Sequence, residues 1–164
     1  MTADISLRPV TRENWLEALN LQVKEQQVGF VPPAAVSLAK VYIKPDGDLV
    51  EYEPFAIYAG SQLVGFVMLA YEEGTNDMYW LNGFLIDARH QYKGYGRAAL
   101  HRMIQLIRSR FAGCTEIRLS VHPDNRHALK LYASTGFIPT SQMSGREQVY
   151  RLPLDVCARG EQKP

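Results

Sequence analysis

The chain has 164 residues, of which 46% are hydrophobic and 21% charged, and its 18 lysines and arginines nearly balance its 17 aspartates and glutamates. This length is typical of one domain, and the composition excludes a disordered chain, a collagen-like repeat and a disulfide scaffold. The near-neutral charge provides no basic surface of the kind that nucleic-acid-binding domains use. We therefore expect one folded domain without a nucleic-acid partner.

The sequence predicts neither a membrane segment nor a metal site. No apolar run approaches the roughly 20 residues of a membrane-spanning helix, and residues 1–10 lack the charged-then-apolar order of a signal peptide. The two cysteines, Cys114 and Cys157, have neither a metal-ligand spacing nor a Cys-x-x-Cys motif. We therefore expect a cytoplasmic protein with no metal and no membrane partner, and the sequence leaves a homodimer open.

The first part of the chain predicts a short strand followed by two helices. Ile5–Pro9 has the composition of a strand that ends at a proline. Thr11 is a candidate N-cap for a half-buried helix whose apolar residues recur at helical spacing as far as Lys24. Pro32-Pro33 suits the start of a second helix, and the turn Pro45–Asp48 ends it.

The middle of the chain predicts a hairpin and a parallel crossover. Phe55–Tyr58 and Leu63–Leu69 are rich in β-formers and are separated by a turn. The continuously apolar segment Met78–Ile86 predicts a central strand that is buried on both faces. A helix from about Gly96 to Arg110 precedes a strand at 117–121, and the succession strand, helix, strand implies a parallel pair.

The last part predicts one more helix and two closing strands. His122–Asn125 ends the preceding strand and caps the helix, and residues 137–138 and 149–152 have strand composition. The order β-α-α-β-β-β-α-β-α-β-β predicts an α/β fold with one mixed sheet covered by helices. We expect this domain to span residues 1–156 and residues 157–164 to form a flexible tail.

A glycine-containing loop, Gln91-Tyr92-Lys93-Gly94-Tyr95-Gly96-Arg97, stands between the predicted central strand and its helix. Glycines let the backbone approach a ligand, and the N–H groups of a helix N-terminus favour an anion such as phosphate. Alone, such a loop is more often a tight strand-to-helix turn than a binding site. It lacks the Gly-Lys-Ser/Thr sequence of a P-loop and the full dinucleotide fingerprint, which counts against NTP hydrolysis and hydride transfer.

A second pattern, Asn125-x-x-Ala128-x-x-Leu131-Tyr132-x-x-x-Gly136-Phe137, follows the next predicted strand. Together the two patterns resemble the GNAT acetyltransferases, whose Gln/Arg-x-x-Gly-x-Gly/Ala loop holds the CoA pyrophosphate and whose later Asn and Tyr complete the site. The resemblance covers residues 55–152 and extends to the order of the elements. It implies a mostly antiparallel sheet with a central β-α-β crossover and acetyl-CoA as co-substrate.

The resemblance also implies roles for individual residues. Backbone groups of Leu85, Ile86 and Asp87 would pair with the pantetheine arm, and the loop Gln91–Arg97 would cradle the pyrophosphate. Asn125 would contact the pantetheine region, and Tyr132 would be the general acid that gives or shares a proton as the CoA thiolate leaves.

The base that deprotonates the amine stays open. Many relatives carry a glutamate on the central strand, where this chain has Trp80, Leu81 and Asn82. Glu72, Glu73 or Asp77 acting through water, or an amine that arrives deprotonated, are the alternatives.

Softer similarities, at Glu25-Gln26, Gly29–Val31, Ser37–Ala39, Pro54–Tyr58 and Tyr79-Trp80, point to the bacterial spermine/spermidine (diamine) acetyltransferases. They imply direct acetyl transfer to a polyamine, a small polycation, in a ternary complex. Carboxylates suit such a substrate, and aromatic faces attract it further. The candidate contacts are Glu25 on the arm after the first strand, Glu72, Glu73 and Asp77 in a later turn, and Trp80; the arm's loop also holds Asp46, Asp48, Glu51 and Glu53.

Charge alone does not decide the acceptor, because the loops of any soluble protein tend to be acidic. A protein N-terminus, an aminoglycoside or an amino acid would leave the CoA site unchanged. A non-catalytic acyl-CoA sensor is the alternative of another class.

Overall fold

The computed structural model describes residues 3–155 and has the predicted order of strands and helices. The bounds, in chain order, are β1 (Ile5–Pro9), α1 (Trp15–Leu19), α2 (Ala34–Ile43), β2 (Glu51–Ala59), β3 (Gln62–Tyr71), β4 (Tyr79–Ile86), α3 (Tyr95–Arg110), β5 (Glu116–Val121), α4 (Arg126–Thr135), β6 (Ile138–Ser144) and β7 (Glu147–Pro153). Two single-turn 3-10 helices, Glu25–Gln27 and Ala88–His90, lie between them. The predicted tail at 157–164 lies outside the described residues, so the domain boundary at 156 stays a prediction.

The seven strands form one sheet in the order β1-β2-β3-β4-β5-β7-β6. Neighbouring strands are antiparallel except β4 and β5, which run parallel on either side of the α3 crossover. This confirms the predicted mixed, mostly antiparallel α/β sheet. Because β4 and β5 run parallel, their C-terminal ends lie at the same edge of the sheet, where the chain continues toward α3 and α4.

The strand that is buried on both faces is β3, not β4. Leu63–Tyr71 is buried at every residue, and its side chains alternate between the two apolar clusters that lie on opposite faces of the sheet. In β4, Tyr79, Leu81 and Leu85 are buried, whereas the residues between them are only half-buried. The prediction for β4 was wrong in this respect, because apolar side chains on a cavity wall give the same continuous apolar run as side chains in a core.

The first helix is shorter than its apolar periodicity predicted. α1 ends at Leu19 instead of Lys24, its N-cap is Asn14 instead of Thr11, and Ala18 is its one buried residue. The chain leaves the helix because the Gln22 backbone bonds to the end of β4: its N–H donates to an Asp87 carboxylate oxygen at 3.1 Å, and its carbonyl accepts from the Ala88 N–H at 2.7 Å. Long-range hydrogen bonds thus override local helical preference.

α2 and α3 occupy opposite faces of the sheet. The predicted stripe of α3, at Leu100, Met103, Ile104 and Ile107, is buried in the larger apolar cluster. α2 contributes Ala34 to the smaller cluster on the other face. Within residues 3–155, no helix is long and apolar enough to cross a membrane, and no three His, Cys, Asp or Glu side chains are grouped as metal ligands.

Candidate active site

A cavity of about 860 Å³ opens in the sheet between β4 and β5. The two strands are paired at a single position, Trp80 opposite Arg118. Beyond this position they part, and Trp80–Ile86 on β4 and Ser120-Val121 on β5 line the cavity. At about 3.3 Å per residue, the cavity follows β4 for roughly 20 Å. One edge of a central strand is therefore exposed to whatever fills this space.

A β-bulge interrupts β4 where it lines the cavity. Asn82 lies opposite Met68 and Leu85 opposite Phe66, so two β4 residues, Gly83 and Phe84, face one residue of β3. Gly83 has φ +59°, and a Cβ there would overlap the hydroxyl of Ser37 on α2. Glycine is thus required both for the left-handed backbone and for the close approach of α2. The bulge leaves Gly83 and Phe84 outside the regular pairing of β4 with β3.

The N-terminus of α3 meets the cavity without a cap from the protein. Gly94, at φ +81°, is the N-cap residue and supplies no side-chain hydrogen bond. Among residues 3–155, the N–H groups of Tyr95, Gly96 and Arg97 have no hydrogen-bond partner, and all three residues line the cavity. α4, in contrast, is capped by Asn125, whose Oδ1 accepts from the Ala128 N–H at 3.3 Å. Free donors and the helix dipole make the α3 end a site for an anion.

Gln91 fixes the loop that leads into α3. Its Nε2 donates to the Ile86 carbonyl at 3.0 Å and to Gln27 Oε1 at 2.8 Å, which ties the loop to the end of β4 and to the arm. The next residue, Tyr92, has φ +61° and lies between Lys24, whose Nζ is 4.3 Å from the ring centroid, and His127, whose ring is 5.2 Å away. The Tyr92 ring therefore contacts Lys24 of the arm on one side and His127 of α4 on the other.

Two of the residues predicted for the cofactor, Asp87 and Lys93, do not line the cavity. Asp87 is buried, its N–H donates to the Val64 carbonyl at 2.9 Å, and its carboxylate accepts from the Gln22 N–H and from Arg89 Nε. Burial alone would raise the Asp87 pKa, but the hydrogen bonds from Arg89 and Gln22 outweigh it and hold the pKa below its ordinary value. Asp87 therefore anchors the arm to β4. Lys93 is exposed.

The other residues predicted for the cofactor do line the cavity. They are Leu85, Ile86, Gln91, Tyr92, Gly94, Tyr95, Gly96, Arg97 and Asn125.

Tyr132, the predicted acid, lies on α4 with 7% of its surface exposed, and its ring packs against Phe137. Its hydroxyl has no hydrogen-bond partner in the described part of the chain, yet it is not sealed off, because Ser37 Oγ is the one buried side-chain polar atom there without a partner. Tyr132 is among the residues that line the cavity. Burial and, second, the negative charge of Glu147 raise the Tyr132 pKa above its ordinary value, so the hydroxyl keeps its proton at neutral pH.

The carboxylates predicted for the acceptor do not line the cavity. Glu25 and Glu73 are exposed and Glu72 is half-buried outside it, while Asp77 pairs with Arg118 at 3.0 Å. Asp77 therefore serves to join the start of β4 to β5. Of the predicted acceptor residues, only the aromatic Trp80 lines the cavity.

Two other carboxylates line it, Asp46 at the exposed rim and Glu147 in a half-buried position. Asp46 accepts a hydrogen bond from the Tyr52 hydroxyl, and Glu147 accepts one from Ser120 Oγ at 2.5 Å. Neither has a lysine or arginine partner among the described residues, whereas Glu51, Glu53, Asp77, Asp87 and Glu116 all do. The cavity thus holds two negative charges that lack a counter-ion.

Sequence reasoning had counted Asp46 among the arm's acidic residues and had missed Glu147, for which no motif gives a signal. Apolar and basic lining residues that it also left unassigned include Phe30, Val31, Phe84, His90, His127 and Lys130. The apolar runs in β4 and in the arm are the signal that could have identified the apolar ones, because such a run can line a cavity as well as fill a core.

Comparison with known proteins identifies the family. The profile of the acetyltransferase (GNAT) family matches residues 17–137. The chain is 32% identical over 138 residues to the spermine/spermidine N(1)-acetyltransferase of Bacillus subtilis strain 168, covering 81% of this chain and 87% of that protein.

Solved structures share the fold. The spermidine N-acetyltransferase of Vibrio cholerae, in complex with CoA and spermine, superposes with a TM-score of 0.68 at 20% identity and covers 92% of this chain and 94% of its own. The PaiA N-acetyltransferase of Thermoplasma acidophilum, in complex with coenzyme A, gives a TM-score of 0.65 at 16% identity, with 92% and 99% covered. The family profile over residues 17–137 and the 32% identity to the Bacillus protein show that the chain, whose parted strands and uncapped α3 agree with that fold, belongs to the GNAT acetyltransferase family.

Proposed function

We propose that this chain transfers the acetyl group of acetyl-CoA to a primary amine of a polyamine such as spermidine or spermine, by direct attack in a ternary complex. The observation that carries the proposal is that the exposed edge of β4, the open N-terminus of α3, Tyr132 and two carboxylates without an ion-pair partner line one and the same cavity. The names of the Bacillus relative and of the Vibrio structure support the acceptor.

The lining residues suit CoA. The N–H groups of residues 95–97 would bind the pyrophosphate, since they lack any partner in the described chain. The parted edge of β4 at residues 81–86 would pair with the amides of the pantetheine arm as a further strand would. Gln91 and Asn125 would shape this site more than bind the cofactor, because their side chains already hold the loop and cap α4. Acetyl-CoA supplies the thioester whose carbonyl carbon is attacked.

Tyr132 would act on the leaving sulfur. A thiol ordinarily titrates near pH 8.5 and a phenol near pH 10, and the Tyr132 pKa lies above that ordinary value. Complete proton transfer to a free thiolate is therefore uphill. The hydroxyl would stabilise the developing negative charge first by donating a hydrogen bond, and it would give up its proton as the amine nitrogen supplies another.

A polyamine would supply the basic partners that Asp46 and Glu147 lack. Asp46 and Glu147 have no basic partner in the described chain, and the Trp80 ring lies on the wall with them. Contacts remote from the reacting nitrogen fix its position and so contribute to the rate. The loop carboxylates Glu25, Glu72 and Glu73 lie outside this arrangement.

A panel of amines with acetyl-CoA, read by thiol release, tests the proposal. Spermidine or spermine should react much faster than a monoamine, and added salt should raise the polyamine KM, because exposed charge contacts are screened over roughly 8–10 Å. Asp46→Asn should raise that KM, whereas Glu73→Gln should not. Equal rates for monoamines or peptide N-termini without salt dependence would contradict the polyamine assignment. CoA binding without turnover of any amine would favour the acyl-CoA sensor.

The proposal includes a small-molecule acceptor without nucleic-acid or membrane partners, and a cytoplasmic location. The nearly equal counts of acidic and basic residues support the first part. A homodimer stays a prediction, which light scattering at assay concentrations tests.

A further inference from the structure

Glu147 lies beside the C-terminal end of β5, where the cavity opens. β7 runs antiparallel to β5 with Gln148 opposite Val121, so the preceding residue, Glu147, lies just beyond the end of β5. Ser120, on the same part of β5, turns its hydroxyl to a Glu147 carboxylate oxygen at 2.5 Å. Both residues line the cavity. The carboxylate is therefore held in one place at the edge of the reaction space.

The charge of Glu147 is uncompensated, unlike that of Glu116 at the other end of β5. Glu116 on β5 pairs with Arg118 at 2.6 Å and with Arg151 at 3.3 Å. Glu147 has no such partner among residues 3–155, and only a neutral hydroxyl supports it. A half-buried carboxylate of this kind attracts a cation and can take a proton from it. Its influence reaches Tyr132, because its negative charge is the second cause, after burial, of the raised Tyr132 pKa.

We propose that Glu147, positioned by Ser120, is the base that takes the proton from the acceptor ammonium. This rests on the proposed function, since it assigns the step that the sequence left open. Glu147 is on β7, away from the central-strand position where Trp80, Leu81 and Asn82 stand.

Glu147 and Tyr132 together account for every proton that moves in the reaction. The ammonium gives one proton to the Glu147 carboxylate, and the freed lone pair forms the C–N bond to the thioester carbon. The C–S bond breaks with its electron pair on sulfur, which receives the Tyr132 proton. The nitrogen gives its second proton to the Tyr132 oxygen and keeps the third as the amide N–H. Glu147 then releases its proton to water, so one proton leaves per acetyl group transferred.

The two steps assist each other. Once Glu147 is protonated, its negative charge no longer contributes to the raised Tyr132 pKa. The hydroxyl is then a better proton donor during the step in which the C–S bond breaks. Glu147 therefore takes its proton before Tyr132 gives one up, which is the order that the reaction requires.

The pH dependence of Glu147→Gln tests this role. The variant should lose about 100-fold or more of its kcat/KM for spermidine at pH 7, in the range of general-base effects. It should regain about tenfold per pH unit up to about pH 10, as alkylammonium groups lose their protons in solution. CoA affinity by calorimetry and the thermal midpoint should stay near the wild-type values. Glu17→Gln, an equal charge change on exposed α1, is the control and should match the wild type throughout.

Several results would overturn the proposal. One is a Glu147→Gln variant whose kcat/KM stays within threefold of the wild type from pH 6 to 10. Another is a pH-independent rise in KM with kcat unchanged, which would make Glu147 only a counter-ion. If Glu147→Gln does not fold, Glu147→Asp and Ser120→Ala take its place, and both should show a smaller loss with the same alkaline recovery. Absence of that recovery in them contradicts the base role, whereas a wild type inactive on every amine contradicts the proposed function itself.

Discussion

Replacement of Gly96 by valine should separate CoA binding from stability. Gly96 is in the first turn of α3, and its N–H is one of three that have no partner in the described chain. A Cβ at this position would lie 3.6 Å from Leu131 and 3.7 Å from Ile86, which are ordinary contacts with two side chains of the cavity wall. A Cβ is therefore compatible with the fold, and we expect the branched side chain to crowd the space in which the pyrophosphate would meet the helix.

Gly96→Val should weaken CoA binding strongly and change the stability of the fold little. Valine keeps the backbone N–H but should push the pyrophosphate away from it, and loss of one hydrogen bond to a charged group costs about 1.5–3 kcal/mol. The Kd of CoA for Gly96→Val should therefore rise by about tenfold to 100-fold. Stability should change by less than about 1 kcal/mol, because valine is no worse than glycine in a helix.

Gly60→Ala, in the turn between β2 and β3 and away from the cavity wall, is the control. Its Cβ meets nothing within 4 Å, but φ is +60°, so it should lose about 1–2 kcal/mol of stability and keep its CoA affinity. Calorimetric titration and thermal unfolding measure both quantities. A folded Gly96→Val that binds CoA as tightly as the wild type would refute the placement of the pyrophosphate at α3.

Two tyrosines give further predictions. Tyr132→Phe should lower kcat by about tenfold or more with the Kd of acetyl-CoA nearly unchanged. A kcat equal to that of the wild type would show that Tyr132 only packs against its neighbours. Burial and, second, the hydrogen bond to Asp46 raise the pKa of Tyr52 to about 12. An unfolded tyrosine titrates near pH 10, so this contribution to stability is complete below about pH 10 and falls by up to about 1.4 kcal/mol per pH unit toward pH 12. Urea unfolding of Tyr52→Phe should show a shallower decline in this window, and an unchanged slope would contradict the raised pKa.

Local patterns in the sequence predicted most of the fold. The four-residue stripe of α3 and the β-rich segments that became β2 and β3 depend on periods that neighbouring residues set. The α1 prediction failed because Gln22 bonds to Asp87, 65 residues away in sequence. Apolar periodicity carries no information about such a bond.

More of the residues predicted for the cofactor than of those predicted for the acceptor line the cavity. The loop Gln91–Arg97 and Tyr132 belong to motifs with fixed spacing, and most of them line the cavity. Glu147 reaches it only through the register of β7 on β5, and Asp77 is drawn away by Arg118, 41 residues further along the chain. A sequence shows which carboxylates are in loops. The tertiary structure decides which of these carboxylates pair with a lysine or arginine and which keep an uncompensated charge.

A structure of the chain crystallised with CoA tests the central claim most directly, because it locates the cofactor relative to the parted strands. The account predicts pyrophosphate oxygens within about 3 Å of the N–H groups of residues 95–97. It also predicts the pantetheine arm along residues 81–86 of β4 and the sulfur in hydrogen-bond contact with the Tyr132 hydroxyl. CoA bound elsewhere, or bound here with its sulfur turned away from Tyr132 and Glu147, would contradict the account.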